Sequence, residues 1–196
     1  MPKAKPPVEQ IFRIKVTLID SEPVIWRQIE VAVNIALSSL HHVIQIVMGW
    51  DNSHLHQYYR PTASRSDRVF YGMPNLDWDD GKTLSEDEYG LNDVISRARQ
   101  RLVYEYDFGD DWKHDLLIEK VLAPEPSVKY PRCVAGERNG PPEDCGGVWG
   151  YANLLSILAD PTDAEYDDRV EWVGQKFDPE AFNLDAINRK LMKGRW

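Results

Sequence analysis

The sequence predicts an α+β fold, a single-domain roll in which antiparallel hairpins pack against helices. Two segments alternate apolar and polar residues around turns, one segment has the apolar spacing of a helix, and hydrophobic residues make up 42% of the 196 residues. A chain of this length can enclose one substantial core. We therefore expect a flexible leader at residues 1–9 and one domain at residues 10–196.

The first predicted hairpin lies near the start of the chain. Apolar residues occupy every second position from Phe12 to Leu18, which is the pattern of a half-buried strand. Residues 20–23 form a turn, and a second alternating strand is predicted from Ile25 to Val31. The two strands together predict an antiparallel pair.

A helix is predicted from Leu37 to Met48. Its apolar residues share one arc at 100° per residue, and Gly49 follows where a helix C-cap glycine belongs. His41 lies on the shoulder of that arc, so we expect it to be half-buried. His42 lies nearly opposite and is expected in solvent. We interpret both histidines as structural.

The second predicted hairpin surrounds a turn at residues 109–111. Apolar residues alternate before and after this turn. Placing both apolar sets on one face pairs Phe108 with Trp112 and Tyr106 with His114 across a three-residue loop. The residues expected on the core side are Tyr104, Tyr106, Phe108 and Trp112.

The remaining segments have less regular patterns. Residues 61–90 predict a long irregular insertion, and a short helix follows at residues 91–95. Residues 131–150 predict a loop rich in glycine and proline that leads into a helix from Asn153 to Ala159. The last helix is expected to begin at Asp178, an N-cap residue followed by proline.

Charge and composition restrict the classes of function. The formal net charge is −9 and the isoelectric point is near 5.0. DNA affinity depends largely on neutralising phosphates, so we expect DNA binding to be weak. No apolar run approaches the length that spans a bilayer, and no apolar segment follows the charged start as in a secretory signal. We therefore expect a cytoplasmic protein without a membrane partner.

The two cysteines favour a reducing compartment over a disulfide scaffold. Cys133 and Cys145 are eleven residues apart, which is wider than the usual spacing of a structural zinc knuckle. We interpret them as small buried thiols.

Two histidines suggest a metal site. His54 and His56 are two residues apart, so on a strand both side chains leave the same face and can hold a divalent ion with ligands from elsewhere. The alternative is a pair of histidines bonded to neighbouring carboxylates. No other cofactor is expected. The candidate site residues are His54, His56, Asp107, Asp111, His114, Glu143 and Asp144.

The glycine-rich segment at residues 136–147 does not predict a nucleotide site. It lacks the lysine and the spacing of a P-loop. Glu143 and Asp144 would repel an anion at the following helix N-terminus. Its prolines and glycines instead favour a rigid, positioned loop.

An ordered set of motifs runs through the chain: Val-Ile-Trp-Arg at 24–27, residues 40–45 with 48–50, Ser-His-Leu-His at 53–56, residues 104–114, Pro-Pro-Glu-Asp-Cys-Gly-Gly at 141–147, and residues 177–180 with Phe182. Together they resemble the plasmid Ri open-reading-frame-three family, also labelled the insertion-element passenger TnpR family. The resemblance implies an α+β roll, plasmid and transposon gene neighbourhoods, and no established activity. The sequence has no N-terminal Tyr-x-Arg-x-Ser motif, so serine-recombinase activity is not carried over.

Three functions follow from these observations. The first is a non-catalytic binding or accessory domain, for which a protein is one candidate partner. The second is a metal-dependent hydrolase that uses the histidines as ligands and a carboxylate as base. The third is a nucleic-acid accessory protein, which the mobile-element association supports and the charge opposes.

Overall fold

The computed structural model describes residues 9–74, 83–194 and 196. The strands are β1 Ile11–Leu18, β2 Trp26–Ala32, β3 His56–Tyr59, β4 Phe70–Gly72, β5 Leu84–Ser85, β6 Arg101–Tyr106, β7 Trp112–Leu122 and β8 Arg132–Glu137. The helices are α1 Leu37–Met48, α2 Leu91–Val94, α3 Gly147–Leu158, α4 Tyr166–Val173 and α5 Leu184–Leu191.

The strands form one eight-stranded sheet in the order β5-β4-β3-β6-β7-β1-β2-β8. All neighbours are antiparallel except β4 and β5, which are parallel. The predicted α+β fold with antiparallel hairpins is confirmed. Among the described residues, no helix combines the length and the apolar character that crossing a membrane demands.

The first hairpin and the first helix match their predictions. The alternating side chains from Phe12 to Leu18 are buried, and β1 pairs with β2. Helix α1 runs from Leu37 to Met48 and ends at Gly49, whose φ of 89° is the left-handed conformation that glycine adopts without strain. His41 is buried rather than half-buried, whereas His42 is exposed as expected.

The second hairpin forms, but its predicted register is wrong by two residues. Tyr106 lies opposite Trp112 and Tyr104 lies opposite His114. A shift of two keeps every strand side chain on its predicted face, because the strand period is two. The exception is Phe108, which falls in the connecting loop and is 41% exposed.

The local reason for the register is the pair of aspartates that closes the loop. Asp107 and Asp111 have φ angles of 56° and 58°, and the Asp111 N–H donates to the Asp107 carbonyl at 2.6 Å. The Asp107 carboxylate also accepts the Gly109 N–H at 2.9 Å. Aspartate tolerates this conformation because its side chain bonds to the nearby backbone.

Three other predictions need correction. Residues 131–150 contain strand β8, and α3 begins at Gly147 rather than at Asn153. Asp178 is not a helix cap, because its carboxylate accepts the N–H of Glu180 in a turn. The cap of α5 is Asn183, which accepts the Ala186 N–H. Helix α4 was not predicted.

The insertion predicted at residues 61–90 is only partly irregular. It contributes β4 and β5 to one edge of the sheet. Residues 75–82, and with them the Asp-Trp-Asp-Asp-Gly motif at 77–81, lie outside the described residues. Residues 1–8 of the predicted leader lie outside them too.

Arg27 is a buried side chain that donates hydrogen bonds to three backbone carbonyls. Only 2% of it is exposed, although it is a cation on the apolar face of β2. Its Nε donates to the Val47 carbonyl at 2.7 Å, and its NH1 donates to the carbonyls of Trp26 and Glu137 at 2.8 Å each. Burial lowers the pKa of Arg27 to about 10, so the guanidinium remains charged at neutral pH.

The cysteines are free thiols, with Cys133 buried and Cys145 half-buried. Burial raises the pKa of Cys133 to about 11 and that of Cys145 to about 12. Both are therefore protonated at neutral pH, as expected of structural thiols.

We expect Arg27→Met to destabilise the fold strongly. The variant leaves three carbonyl oxygens without their charged donor, and each unsatisfied buried acceptor costs about 1–3 kcal/mol. The free energy of unfolding from urea titration should fall by roughly 3 kcal/mol or more. The control is Arg169→Met, which removes an exposed pair with Glu165 and should cost about 0.5 kcal/mol or less. Equal losses in the two variants would contradict this account.

We also expect His114 to make the free energy of unfolding depend on pH. Complete burial lowers the pKa of His114 to about 3 from the ordinary 6.5. Below pH 6.5, His114 therefore binds a proton in the unfolded chain but not in the folded chain. The free energy of unfolding consequently falls as the pH drops towards 3. The slope for one histidine approaches about 1.4 kcal/mol per pH unit.

His114→Leu should remove the contribution of His114 to the slope of unfolding free energy against pH between pH 6 and pH 4. The measurement is a series of urea titrations across that range. Leu116→Val, on the same face of β7, should lower stability at every pH without changing the slope. An unchanged slope in His114→Leu would show that another group is responsible.

Candidate functional site

Three segments meet at the carboxyl end of α1. They are residues 51–54 after the helix, the loop at residues 107–111 between β6 and β7, and residues 140–147 before α3. Gly140 packs so closely that a side chain there would collide with the Met48 carbonyl. The Trp50 indole N–H donates to the Pro141 carbonyl at 2.9 Å. The end of the helix thus fixes the position of the third segment.

The third segment is also tied to the second. The Gly146 N–H donates to the Asp110 carboxylate at 3.0 Å. Gly147 has a φ of 67°, and a side chain at this position would collide with the Asp110 carbonyl. The predicted rigid loop at residues 136–147 is therefore packed against both neighbouring segments.

His54 and three carboxylates come together where these segments meet. The His54 Nε2 atom lies 3.1 Å from Asp144 Oδ1 and 3.7 Å from both Asp107 Oδ2 and Glu143 Oε2. The His54 side chain is 27% exposed, and those of Asp107 and Glu143 are more buried. Asp144 is open to solvent, with 70% of its side chain exposed. The cluster is therefore a partly buried acidic centre that solvent can reach.

The hydroxyl of Tyr106 organises this centre. It accepts the Ser53 N–H at 3.0 Å and the His54 N–H at 3.3 Å. It also donates to the two oxygens of Glu143, at 3.1 and 3.2 Å. Burial and the Glu143 charge raise the pKa of Tyr106, so the hydroxyl stays protonated and remains a donor. Glu143 additionally accepts the Asp51 N–H at 2.9 Å.

The spacing of the four side chains suits a metal ion. Ligand atoms about 2.1 Å from a shared ion lie roughly 3.0–3.4 Å apart at octahedral or tetrahedral angles. The observed separations from His54 Nε2 are 3.1 Å to Asp144 and 3.7 Å to Asp107 and Glu143, which are close to that range. Ligand atoms of His54, Asp107 and Asp144 all lie within 4.8 Å of one another.

A second feature of His54 supports the same interpretation. Within the described residues its Nε2 atom is buried and makes no hydrogen bond of normal geometry, although the carboxylates surround it. A buried imidazole nitrogen usually has a hydrogen-bond partner. An imidazole nitrogen that has no hydrogen-bond partner and lies beside several carboxylates is suited to binding a cation.

The other three predicted site residues lie elsewhere. His56 Nε2 bonds to Glu86 Oε2 at 2.7 Å, so its ring nitrogen is occupied by a different carboxylate. Asp111 is exposed and contacts Lys113 Nζ at 2.5 Å. His114 is fully buried in the core, between the rings of Trp50 and Tyr104. Strand β3 begins only at His56, so the two histidines do not share a strand face as ligands of one ion.

His56 belongs to a second cluster, with residues that the sequence did not place beside it. His56 stacks on His41 with ring centroids 3.5 Å apart and planes 3° apart. Burial and the neighbouring His56 lower the pKa of His41 to about 3. Its ring nitrogens bond to the Tyr104 hydroxyl at 2.7 Å and to Asn52 Oδ1 at 2.6 Å. Glu86 comes from the insertion, where no pattern marked it.

Comparison with known proteins places the chain in a family. A family model described as plasmid pRiA4b ORF-3-like protein matches residues 10–186. The chain belongs to this family. The resemblance carried by the motifs is thereby confirmed. All four residues of the cluster lie inside the matched range.

Two relatives of this pRiA4b ORF-3-like protein extend the comparison. Uncharacterized protein y4hQ from Sinorhizobium fredii is 34% identical over 192 residues, which cover 96% of this chain and 95% of that protein. A crystal structure of a protein of unknown function, MM3350 from Methanosarcina mazei Go1, is 35% identical with a TM-score of 0.81. It covers 91% of this chain and 98% of the other. The fold is thus shared along nearly the whole chain.

We expect Tyr106→Phe to lower the stability of the protein by removing the hydrogen bonds that hold His54 and Glu143. The variant removes the acceptor of two backbone N–H groups and the donor to Glu143, so the free energy of unfolding should fall by about 1–3 kcal/mol. Tyr130→Phe is the control, because its exposed hydroxyl accepts only the Glu125 N–H and should cost less than about 1 kcal/mol. Urea titration measures both, and equal costs would contradict the organising role of Tyr106.

Proposed function

We propose that this pRiA4b ORF-3-like protein is a binding domain whose functional centre is a divalent-cation site. The ligands are His54, Asp107, Glu143 and Asp144. The observation that carries the proposal is the His54 Nε2 atom, which is buried without a normal hydrogen bond and has three carboxylates within 3.7 Å. A cation supplies the partner that this nitrogen lacks.

The charge of the cluster supports a cation. Three carboxylates share a partly buried space, and like charges at this distance repel one another. An ion with two positive charges relieves this repulsion and binds the imidazole nitrogen at the same time. The same acidic centre repels phosphate, as does the net charge of −9, so neither favours a nucleic-acid role.

The ligand chemistry indicates which cations suit the site. Carboxylate oxygens favour Mg²⁺, Ca²⁺ and Mn²⁺, while an imidazole nitrogen suits Zn²⁺ and other transition metals. The set contains no cysteine, so the soft thiolate ligand that copper(I) prefers is missing from it. Mn²⁺ and Zn²⁺ are the cations that fit one nitrogen and several oxygens best.

We expect titration calorimetry to show one binding site per chain for Mn²⁺ or Zn²⁺ in protein prepared without a histidine tag. His54→Ala should weaken binding at least about 100-fold, because changing even a supporting residue of a metal site costs about 10–100-fold. Asp144→Asn should weaken it at least about tenfold for the same reason.

The matched control is Asp111→Asn, which removes a carboxylate from the same loop as Asp107 but outside the cluster. The affinity of Asp111→Asn for Mn²⁺ or Zn²⁺ should equal that of the unaltered protein. Binding that survives His54→Ala unchanged, or no binding of either cation, would reject the proposed site.

A further inference from the structure

Helix α3 presents an uncharged face to solvent. Its sequence from Gly147 to Leu158 contains no charged side chain. The exposed positions are spaced i, i+3, i+4 and i+7, so they form one stripe along the helix. This stripe consists of Trp149, Ala152, Asn153 and Ser156. A solvent-facing side of a helix normally carries charged residues, so the stripe is suited to contact with another chain.

Trp149 dominates this stripe. Its side chain is 86% exposed, which makes it the most exposed of the large apolar side chains in the part of the chain that the structure describes. Tryptophan buries a large apolar area when another molecule covers it, and it is enriched among the residues that carry the binding energy of protein interfaces. An indole this exposed contributes little to the core, which leaves contact with another molecule as its role.

A cleft of about 330 Å³ lies between α3 and α4, next to the stripe. Asn153 and Leu154 line it from α3, and Arg169 and Trp172 line it from α4. Asn153 lies one turn after Trp149 on α3, so Trp149 is at the rim of the cleft. Trp172 is 47% exposed. Two exposed indoles therefore flank a cleft that is large enough for one long side chain.

The charges around this cleft are almost all negative. Between residues 159 and 174, six side chains are acidic and only Arg169 is basic. Glu165 accepts from Nε and NH2 of Arg169 at 3.1 and 2.7 Å, so this positive charge is already paired. Asp168 lies one turn before Trp172 and on the same side of α4. An acidic surface with exposed indoles attracts a cation and repels nucleic acid and anionic lipid.

Arginine is the cation that fits both features of this surface. Its planar guanidinium stacks on an indole ring and donates two parallel hydrogen bonds to a carboxylate. Lysine offers a compact point charge that cannot make the paired bonds. An arginine side chain in the cleft can stack on Trp172 and approach Asp168, while a neighbouring part of the same partner covers Trp149.

We infer that the α3–α4 surface, formed by the exposed stripe of α3, the cleft and Trp172, binds an arginine-containing segment of a partner protein. One guanidinium occupies the cleft, and the segment continues over Trp149. This surface is separate in function from the proposed cation site, although Asp144 lies in both the cleft wall and the cation cluster. A chelator in the assay keeps the outcome independent of any ion.

The test is titration calorimetry of the full chain in the presence of EDTA. The probe is a hexapeptide, blocked at both ends, in which three arginines alternate with glycine. The reference probe carries citrulline in place of arginine, which keeps the shape of the side chain and removes its charge. We expect the arginine peptide to bind at least about tenfold more tightly, because the charged hydrogen bonds and the contact with the indole both depend on the cation.

Two substitutions locate the binding surface. Trp149→Ala should weaken binding of the arginine peptide at least about tenfold, as expected of an interface tryptophan. Asp168→Asn should weaken it about threefold, which is the effect of losing one exposed charge pair. Because both side chains are exposed, neither change should alter the fold. If Trp149→Ala fails to fold, Asp168→Asn and the citrulline peptide still decide the question.

Each substitution has a matched control outside the cleft. Met192→Ala removes another exposed apolar side chain, which is 64% exposed at the end of α5. Asp185→Asn removes a carboxylate from the first turn of α5, as Asp168→Asn does from the first turn of α4. Both controls should bind the arginine peptide as tightly as the unaltered protein.

Binding of the arginine peptide that Trp149→Ala and Asp168→Asn reduce, and that both controls preserve, supports the inference. No binding, equal affinity for the citrulline peptide, or equal losses in the variants and their controls overturns it. A dimer in sedimentation that Trp149→Ala dissociates would show that a second copy of the chain covers this surface, and it would overturn the inference as well. Cation affinity is measured without the peptide and tests the proposed function separately.

Discussion

The buried guanidinium of Arg27 connects the sheet to the end of the first helix. It bonds to the Val47 carbonyl in the last turn of α1 and to the Glu137 carbonyl at the end of β8, while its charged group lies 5.1 Å from the ring of Phe182. Helix carbonyls in the last turn lack partners within the helix, so a cation is favourable there. One side chain thus joins β2, β8, α1 and the C-terminal segment, and it anchors the end of α1 to the sheet.

The candidate centre depends on where that helix ends. Residues 51–54 leave α1 at this point, and Gly140 packs directly against the Met48 carbonyl. The Tyr106 hydroxyl then holds His54 by its backbone and Glu143 by its side chain. The four residues of the proposed site lie on loops, and His54, Asp107 and Glu143 are each held by hydrogen bonds to neighbouring segments. Such support is what a metal site requires if its geometry is to be ready before the ion binds.

Regular elements were predicted where one face of the element is buried. The alternation in β1 and the helical arc of α1 reflect local geometry, so periodicity alone located them. The β6–β7 faces were also predicted correctly, but the register was not, because an even shift leaves the alternation unchanged. Hydrogen bonds of Asp107 selected the longer loop and moved Phe108 out of the core. Strand β8 was missed because its burial comes from the packing of other segments.

The sequence by itself determined the fold class, the family and the residue types of the proposed cation site. Of the seven candidates, the structure brings four together: His54, Asp107, Glu143 and Asp144. Only the tertiary structure separated His56 from His54, because Glu86 approaches from a distant part of the chain and binds the second ring. Only packing decided that His114 is a core residue. Spacing along a chain fixes which face a side chain occupies, whereas the contacts between distant segments fix what lies opposite it.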